Sequence, residues 1–600
     1  MPDAARPLGL VRSTFAMDPT LQFLGAWQPN TAGLAALFTP EECKRLDLAR
    51  REAGKGKRVV AYCVFENPFA RAGGVFAVAT HLPPALRAAG DETVIITPFH
   101  RNLQTTPRYD QVKHLGDIQV PFTSGRTKAE LFETHDRLGN RWVYVQSWGI
   151  FDSRGGPTRQ DPYAYDNNQY LVRDALFLSN SIPVALAHLG LTSNIVVHAQ
   201  DWQLAASALS VKQALLSGAL RSAATVLTSH NPYDQGLPDD SLSWITRRLA
   251  PQQWPFGRDT FYERMIPLTD APLSTVSPGF AMEMTADPLQ RRHFTGHLQT
   301  VYAKQGVVGI NNPLFGVPQP AFSEEAVRAA AGGAPEKILA EKSRKRQKML
   351  EVLSAYEDPR IGGGLDGGPG KKLIELPPEV PVFLMFGRLD PRQKGFDLFA
   401  RAIEGVPRNA AKFILTPIVG PGTEKWATDL MELAERRKGD VITYPFRMEQ
   451  GYMETQAGAT FAVMPSFYEP FGAATEAYLA GTPVIARATG GLTGQVVDHD
   501  EDKARATGFL FKEKLPLGAS WPAIASTGPD ERVALPLYVR MAEALYDSLR
   551  KAAAVYAKRP TSYGRMLANL YAKAETFSGE RAAAGYRALY DLAVIDEPRF

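Results

Sequence analysis

The sequence predicts an α/β protein with two doubly wound, Rossmann-like halves. Short apolar runs alternate with helical stretches in each half of the chain, and this alternation stops between about residues 315 and 380. Such alternation is typical of parallel strands, because each parallel strand reaches its neighbour through a crossover connection. A chain of 600 residues is also too long for one hydrophobic core, which favours several domains.

The first alternating set begins with the apolar run 58–65, which a glycine loop at Gly73 and a helical stretch follow. Ligands of doubly wound sheets bind beyond the carboxyl ends of the strands. Asp201 and His230 come directly after predicted strands, as the glycine loop does, so all three positions are candidate site residues. Further strands are predicted at 93–97, 195–198, 224–228 and 273–276.

The region between the halves is predicted to be a helix and a loop. Residues 335–356 have the composition of a charged helix, whose basic run 342–346 is expected to form a solvated face. The glycine-rich stretches 362–364 and 367–370 predict a flexible loop. The second set of strands is predicted at 382–386, 412–416, 441–444, 460–464 and 482–486.

These patterns divide the chain into five segments. They are an N-terminal extension at 1–57, a first Rossmann-like domain at 58–312, an inter-domain insertion of helix and loop at 313–379, a second Rossmann-like domain at 380–575, and a C-terminal helix at 576–600 that is expected to pack on the first domain.

The composition is ordinary for a globular protein and excludes several classes. Hydrophobic residues make up 44% and charged residues 22% of the chain, and the net charge of +4 is too small to favour a nucleic-acid partner. Cys43 and Cys63 are too few for a disulfide framework or a zinc site of their own. No window approaches the roughly 18 apolar residues of a membrane span, and the N-terminus does not read as a signal peptide. We therefore expect a cytoplasmic protein without membrane contact.

Two cations lie on one predicted loop at the start of the second domain. Arg388 follows a strand and Lys394 comes six residues later, just before a predicted helix. Arginine offers a planar fork and lysine a compact point charge for phosphate, so the pair can neutralise a departing diphosphate. The alternative is an ordinary solvated loop.

Two carboxylates follow another predicted strand of the same domain. Glu469 can accept hydrogen bonds from sugar hydroxyls or stabilise positive charge on a reacting sugar ring. Gly472 lets the backbone approach a ligand closely, and the amides from Phe471 to Ala473 open a helix as donors. Glu476 can reach a ribose, or it can simply complement the helix dipole. Cations for a diphosphate and carboxylates for hydroxyls together describe a nucleotide-sugar site.

Eight motifs in order resemble those of the bacterial glycogen synthases and plant starch synthases, which are retaining glucosyltransferases of the GT-B fold. The resemblance implies two Rossmann-like domains that face each other across a cleft. The motifs are Arg71-Ala72-Gly73-Gly74-Val75, Val197-His198-Ala199-Gln200-Asp201-Trp202, Thr228-Ser229-His230-Asn231, Thr275-Val276-Ser277-Pro278, Arg388-Leu389 with Gln393-Lys394-Gly395, Pro465-Ser466 with Glu469-Pro470-Phe471-Gly472, Thr489-Gly490-Gly491-Leu492, and Phe577-Ser578 with Glu580-Arg581.

The resemblance implies a role for each matching residue of the second domain. Arg388 and Lys394 would bind the departing diphosphate, and Glu469 would be needed for transfer. The backbone from Phe471 to Ala473 would hold the sugar. Related GT-B enzymes commonly carry two glutamates eight residues apart at this turn, whereas Glu469 and Glu476 are seven apart. The ribose role of Glu476 therefore depends on where the helix starts.

The resemblance also implies roles in the first domain. Asp201 and His230 would face the sugar and the acceptor, with Asn231 beside them, and the loop at Gly73 and Gly74 would approach the phosphates. His198 is expected to be a buried strand residue.

Four positions depart from the family pattern in this domain. Arg71 replaces the family lysine of the glycine loop, which keeps the charge for phosphate binding but changes its geometry. Ala77 replaces an acidic residue that helps on the acceptor side. The family's Asn-Gly-Ile-Asp appears as Val308-Gly309-Ile310-Asn311, which removes one polar contact near the sugar.

The function that these resemblances imply is glucosyl transfer from ADP-glucose or UDP-glucose to the non-reducing end of an α-1,4-glucan. Arg388, Lys394, Glu469, Asp201 and His230 are the predicted catalytic residues. We expect no metal and no cofactor beyond the nucleotide-sugar co-substrate. The alternatives are a related transferase with a small sugar or glycoside acceptor, which Ala77 favours, and a degenerate glucan-binding protein.

Overall fold

The computed structural model describes residues 19–27, 32–100, 112–151, 162–163, 165–238, 241–246, 260–287, 291, 294–316, 318–365, 376–420, 422–516, 518–519, 524 and 529–595. These residues form two compact units. Unit 1 contains the described residues of 1–285, 294–316 and 578–600, and unit 2 contains those of 286–293 and 317–577.

Each unit is built on one sheet. In chain order the strands are β1 Val59–Cys63, β2 Glu92–Pro98, β3 Lys113–Phe122, β4 Gly125–His135, β5 Arg141–Gln146, β6 Ile195–Gln200, β7 Ala223–Ser229, β8 Leu273–Thr275, β9 Val307–Gly309, β10 Gly362–Gly364, β11 Val382–Arg388, β12 Lys412–Ile418, β13 Val441–Thr443, β14 Phe461–Met464, β15 Val484–Arg487 and β16 Gly508–Phe511.

Helices surround both sheets. In chain order the α-helices of the described residues are α1 Pro19–Ala26, α2 Ala32–Ala35, α3 Pro40–Glu52, α4 Gly74–Ala88, α5 Asn168–His188, α6 Asp201–Ala205, α7 Ser207–Ser217, α8 Ser241–Thr246, α9 Phe261–Met265, α10 Pro278–Thr285, α11 Gln299–Gln305, α12 Glu324–Ala331, α13 Glu336–Ala355, α14 Phe396–Gly405, α15 Glu424–Arg436, α16 Tyr452–Gly458, α17 Ala474–Ala480, α18 Leu492–Gln495, α19 Pro529–Arg532, α20 Pro536–Lys558, α21 Pro560–Glu575 and α22 Gly579–Ile595. None of these helices is long and apolar enough to cross a membrane.

The sheet of unit 1 has nine strands in the order β3-β4-β5-β2-β1-β6-β7-β8-β9. The pairs from β5 to β9 are parallel, which confirms the predicted alternation, and their strands are buried on both faces as parallel strands require. Strands β3 and β4 add an antiparallel edge that the sequence analysis did not predict. This order places the carboxyl ends of β5, β2, β1, β6 and β7 side by side along one edge.

The residues before β1 pack onto unit 1. Helix α3 begins with a capping box, in which Thr39 and Glu42 satisfy each other's backbone amides. The Trp27 indole donates to the Gln305 carbonyl at 2.7 Å, and an Arg50 guanidinium nitrogen donates to the Ala593 carbonyl of α22 at 3.0 Å. These contacts attach α1, α3 and α22 to the same unit.

The sheet of unit 2 has seven strands in the order β10-β13-β12-β11-β14-β15-β16. Strands β11 to β16 are parallel, which confirms the five predicted strands. The expectation of a flexible loop at 362–364 is wrong, because these glycines form β10 and pair antiparallel with β13. The second glycine-rich stretch, 367–370, lies outside the described residues.

Helix α13 confirms the helix predicted over 335–356, but its basic run is not simply a solvated face. Lys342 is buried, and its ammonium donates to the Ala457 and Gly481 carbonyls and to the Thr482 hydroxyl, each at 2.8 Å. Arg346 is also buried and donates to two carbonyl oxygens. The sequence pattern missed this because three oxygens from distant segments replace the water around the lysine.

Candidate functional site

Two loops of unit 2 meet at the carboxyl ends of neighbouring strands. Residues 389–395 follow β11 and residues 465–472 follow β14, which pairs with β11. Gly395 has φ of +73°, and a Cβ there would lie 2.4 Å from the Pro465 carbonyl oxygen, so only glycine lets the loops approach this closely. The Phe467 amide donates to the Gln393 carbonyl at 2.7 Å. The spacing of the Gln-Lys-Gly motif therefore serves to lock these two loops together.

The locked loops bring Lys394 and Glu469 into an ion pair. The Lys394 ammonium lies 2.6 Å from one Glu469 carboxylate oxygen, which also accepts the Ser466 hydroxyl at 2.9 Å. The Gln393 amide approaches the other oxygen at 3.4 Å. Glu469 is only 7% exposed, whereas the Lys394 side chain is 22% exposed. A partly buried carboxylate is thus neutralised by a cation that solvent can still reach.

Arg388 ends β11 at the start of the same loop. Its side chain is exposed, and it makes no hydrogen bond or ion pair with any residue that the structure describes. Its guanidinium is therefore available to an external anion. The other cation of the loop, Lys394, is already paired with Glu469. The structure brings the predicted cations and the predicted carboxylate to one edge of the sheet.

The backbone from Phe471 to Ala473 is held from behind by a residue that the sequence analysis missed. The buried Gln495 side chain accepts the Ala474 amide at 3.1 Å and donates to the Phe471 carbonyl at 3.0 Å. Gly472 has φ of +98°, and a Cβ there would lie 2.7 Å from the Leu492 side chain. Gln495 follows the Thr489–Leu492 motif by three residues, and no pattern in the sequence marked it.

A buried ion pair supports the segment before Glu469. Arg487 pairs with Glu513, and its guanidinium also donates to the Phe467 carbonyl at 2.8 Å. Burial favours the neutral acid, but the charge and hydrogen bonds of Arg487 prevail and lower the pKa of the Glu513 carboxyl. The Arg532 guanidinium lies 4.6 Å from the centre of the Phe467 ring. The backbone leading to Glu469 is therefore fixed on two sides.

Glu476 lies in the first turn of α17 and is exposed. Protein around the carboxyl raises its pKa, and the positive charge of Lys394 opposes that shift. Water thus reaches a carboxylate that has protein on several sides. Its predicted contact with a ribose stays a prediction.

In unit 1, Asp201 organises the turn that carries His230 and Asn231. Asp201 opens α6 with φ of +58°, and its carboxylate accepts the His230 amide at 2.6 Å. Burial raises the pKa of this carboxyl to about 7, and the charge of Glu66 adds to the shift, while hydrogen bonds from His230 and Asn231 oppose it. The predicted residues Asp201, His230 and Asn231 therefore come together at the ends of β6 and β7.

The His230 ring is neutral and oriented. Its Nε2 lies 2.7 Å from the Gln200 side-chain oxygen, and the Gln200 amide group donates to the His198 carbonyl. This leaves the Gln200 oxygen as an acceptor, so the Nε2 of His230 carries the hydrogen. Burial lowers the pKa of His230 to about 3. His198 is a fully buried strand residue that hydrogen-bonds Tyr590 and Thr228, as predicted.

Glu66 holds the glycine loop and was not singled out in the sequence. One oxygen of its buried carboxylate accepts the backbone amides of Ala72, Gly73 and Phe76 at 3.1–3.3 Å, and the other accepts the Tyr163 hydroxyl at 3.2 Å. Burial raises the pKa of Glu66 against these hydrogen bonds. Glu66 stands at the end of a buried strand, directly before Asn67-Pro68, and this position was a sequence signal that could have identified it.

The glycine loop itself is open. Gly73 and Gly74 are exposed, and a Cβ at either would meet no described atom within 4 Å. Arg71 is exposed and its guanidinium lies 5.5 Å from the centre of the Phe76 ring. Packing within unit 1 therefore does not explain the two glycines.

Among the described residues, one group has the spacing of metal ligands. His114, Asp117 and Glu130 lie on β3 and β4, where Asp117 also pairs with Lys128 at 2.7 Å. None of these is a predicted site residue. The expectation that no metal is needed stays a prediction.

Comparisons with known proteins match each half of the chain to a glycosyltransferase family model. Residues 59–301 match the family model of the starch synthase catalytic domain, and residues 371–518 match that of glycosyl transferases group 1. Glycogen synthase from Anaeromyxobacter dehalogenans (strain 2CP-1) is 26% identical over 87% of this chain and 96% of its own length. Glycogen synthase from Myxococcus xanthus is 29% identical over 74% of this chain and 86% of its own length.

A solved structure shows the same fold. The catalytic domain of starch synthase IV from Arabidopsis thaliana, bound to ADP and acarbose, aligns with a TM-score of 0.64 at 21% identity, over 90% of this chain and all of that chain. The fold and the two family models identify a glycosyltransferase of the GT-B class. Within that class, the chain is similar to the glycogen synthases and the starch synthases.

Proposed function

We propose that this enzyme transfers glucose, with retention, from a nucleoside diphosphate glucose to the non-reducing end of an α-1,4-glucan. The observation that carries the proposal is the Lys394–Glu469 pair beside the exposed Arg388 in unit 2. The match to the starch synthase catalytic domain and the glycogen synthase relatives support the substrate class.

The two cations Arg388 and Lys394 suit a leaving diphosphate. When a diphosphate enters, Arg388 and Lys394 supply positive charge for the negative charge that develops as the glycosidic bond breaks. Glu469 is then left facing the sugar, where it can accept hydroxyl hydrogen bonds and stabilise an oxocarbenium-like ring. The loop that Gln495 holds supplies the backbone around the sugar.

Unit 1 supplies the acceptor side in this proposal. Asp201 positions the turn of His230 and Asn231, and the neutral His230 ring offers its Nδ1 as an acceptor. The open loop at Gly73 and Gly74, with Arg71 next to it, suits close approach of phosphate. Ala77 lacks the carboxylate that the family pattern has on the acceptor side. A related transferase with a small sugar or glycoside acceptor is therefore the alternative.

The test is nucleotide release from ADP-glucose and from UDP-glucose, each with and without glycogen primer, with labelled glucose followed into polymer. We expect primer-dependent release with one donor and incorporation of label. Arg388→Ala should lower kcat/KM about a hundredfold because a cation on the leaving group is lost. Arg392→Ala, an exposed arginine of the same loop, is the matched control and should change it less than about twofold.

The other outcomes of the nucleotide-release experiment distinguish the alternatives. Release that ignores glycogen would move the proposal to a small acceptor, and addition of maltose or glucose would then identify it. No release from either donor by folded protein would contradict the proposal. The cytoplasmic location and the absence of a metal requirement remain predictions from the sequence.

A further inference from the structure

Trp148 is the most exposed large hydrophobic side chain of the described residues, at 81%, and Tyr170 near it is 43% exposed. We propose that these two rings form a platform in unit 1 that binds an α-glucan chain at a distance from its reacting end. This inference rests on the proposed function and names a part of the acceptor site. A platform here means the exposed side chains of Trp148 and Tyr170 together with Arg173, which contacts the Trp148 turn and the Tyr170 ring.

The turn that carries Trp148 is closed by hydrogen bonds and is followed by a residue with positive φ. The Ser147 hydroxyl donates to the Lys128 carbonyl at 2.7 Å, and the Ile150 amide closes the turn on the Ser147 carbonyl. The next residue, Phe151, is fully buried with φ of +59°, a backbone conformation that a bulky side chain rarely adopts. Such strain persists only where the surrounding structure enforces it, and it is concentrated at functional positions.

Asp174 enforces this conformation from α5. Its fully buried carboxylate accepts the Phe151 amide at 2.7 Å and the Tyr165 hydroxyl at 2.9 Å. The other oxygen accepts two nitrogens of the Arg173 guanidinium, at 2.9 and 2.7 Å. A buried carboxylate in helix α5 thus fixes the turn that presents the exposed indole.

Arg173 connects the Trp148 turn to the Tyr170 ring. One guanidinium nitrogen donates to the Gly149 carbonyl in the Trp148 turn at 2.7 Å, and the guanidinium lies 5.2 Å from the centre of the Tyr170 ring. The backbone of the Trp148 turn and the Tyr170 ring therefore contact the same side chain. Large aromatic side chains that are open to solvent on a fixed backbone are suited to binding rather than to core packing.

The platform is continuous with the candidate site of unit 1. It follows β5, which pairs with β2, and β2 pairs with β1, whose carboxyl end carries Glu66 and the glycine loop. Two strand spacings correspond to about 10 Å along the edge of the sheet. Aromatic contacts bridge this distance, because Phe65 contacts both Phe151 and Tyr163, and Tyr163 hydrogen-bonds Glu66.

The chemistry of the platform favours a neutral sugar chain. A pyranose has apolar C–H faces that pack on aromatic rings, and hydroxyl edges that bond to a guanidinium or a carbonyl. The charge of Arg173 is already matched by Asp174, so the patch has little excess charge with which to attract a phosphate-rich partner. Two rings are also a small apolar area for a protein interface, which needs about 800 Å² per partner.

The test compares short and long acceptors with Trp148→Ala. We expect kcat/KM for maltoheptaose to fall about tenfold, mainly through KM, because one stacked ring contributes roughly that factor. With maltose, which is too short to reach the platform from the reacting end, the change should stay below about twofold. Trp148→Phe keeps a ring and should recover most of the loss. Trp426→Ala, the same change at a half-buried tryptophan of α15 in unit 2, is the control and should not separate the two acceptors.

Equal losses with maltose and maltoheptaose, or no loss with either, would overturn the platform and leave the proposed function intact. If the wild-type enzyme transfers to no glucan, the proposed function fails separately, and calorimetric titration of the full chain with maltoheptaose decides the platform. Binding that weakens about tenfold in Trp148→Ala would support it. Absent binding, or binding unchanged by the substitution, would overturn it.

Discussion

Glu469 in unit 2 and Asp201 in unit 1 occupy similar places and are built differently. Each follows a buried parallel strand, and each is 7% exposed. The partners of Glu469 are the side chains of Lys394 and Ser466, whereas Asp201 is bonded mainly to the backbone of the next loop.

This difference separates two uses of a carboxylate at a strand end. A carboxylate paired with a solvent-accessible lysine can exchange that partner for a ligand, because the lysine can turn to an incoming anion. A carboxylate bonded to backbone amides cannot exchange partners without loosening the loop it holds. Glu469 is therefore placed to take part in chemistry, and Asp201 is placed to shape the turn that carries His230.

The largest expected effect comes from removing the charge of Glu469. Glu469→Gln keeps the shape and should lower kcat of transfer about 10²–10³-fold, because it removes negative charge where positive charge develops on the sugar. The measurement is steady-state transfer to glycogen. Glu449→Gln, at an exposed glutamate of unit 2, is the matched control. A rate within about threefold of wild type would contradict the role of Glu469.

The next effect concerns stability and pH. The pKa of Asp201 is raised to about 7 in the folded protein, above its unfolded value near 3.9. The folded state therefore binds more protons between about pH 4 and 7, so the stability from this group is present at low pH and is lost as the pH rises through 7. Asp201→Asn removes the titration and retains an oxygen for the His230 amide.

This variant should gain stability relative to wild type as the pH rises from 5 to 8, by on the order of 3 kcal/mol. Denaturant unfolding of both proteins at each pH measures the difference in the free energy of unfolding. A difference that stays constant with pH would show that Asp201 does not titrate as described.

The smallest expected effect tests the loop behind the sugar. Gln495→Met has a similar length but leaves the Ala474 amide and the Phe471 carbonyl without their partner, and an unsatisfied buried group costs about 1–3 kcal/mol. We expect kcat/KM for the donor to fall about tenfold, mainly through KM. Gln495→Glu restores the acceptor for Ala474 and should recover part of the loss. Unchanged donor KM in Gln495→Met would reject a positioning role.

The residues that sequence reasoning found share one property. Lys394, Arg388, Glu469, Asp201 and His230 lie at predicted strand ends, where a parallel sheet brings its ligands, and local patterns were enough to locate them. Glu66 and Gln495 were missed because their roles come from amides in other segments. Nothing in the neighbouring sequence of a glutamine shows which distant carbonyl it will meet.

The sequence by itself determined the alternation of strands and helices, the two-part organisation and the order of the motifs. Hydrophobic periodicity and glycine placement are local properties, so the chain carries them directly. Only the tertiary structure decided that Glu469 pairs with Lys394, that Lys342 is buried among three oxygens, and that the 362–364 glycines form a strand. These outcomes depend on which remote groups replace water around a charge or complete a hydrogen-bond ladder, and that choice is made only when the segments pack together.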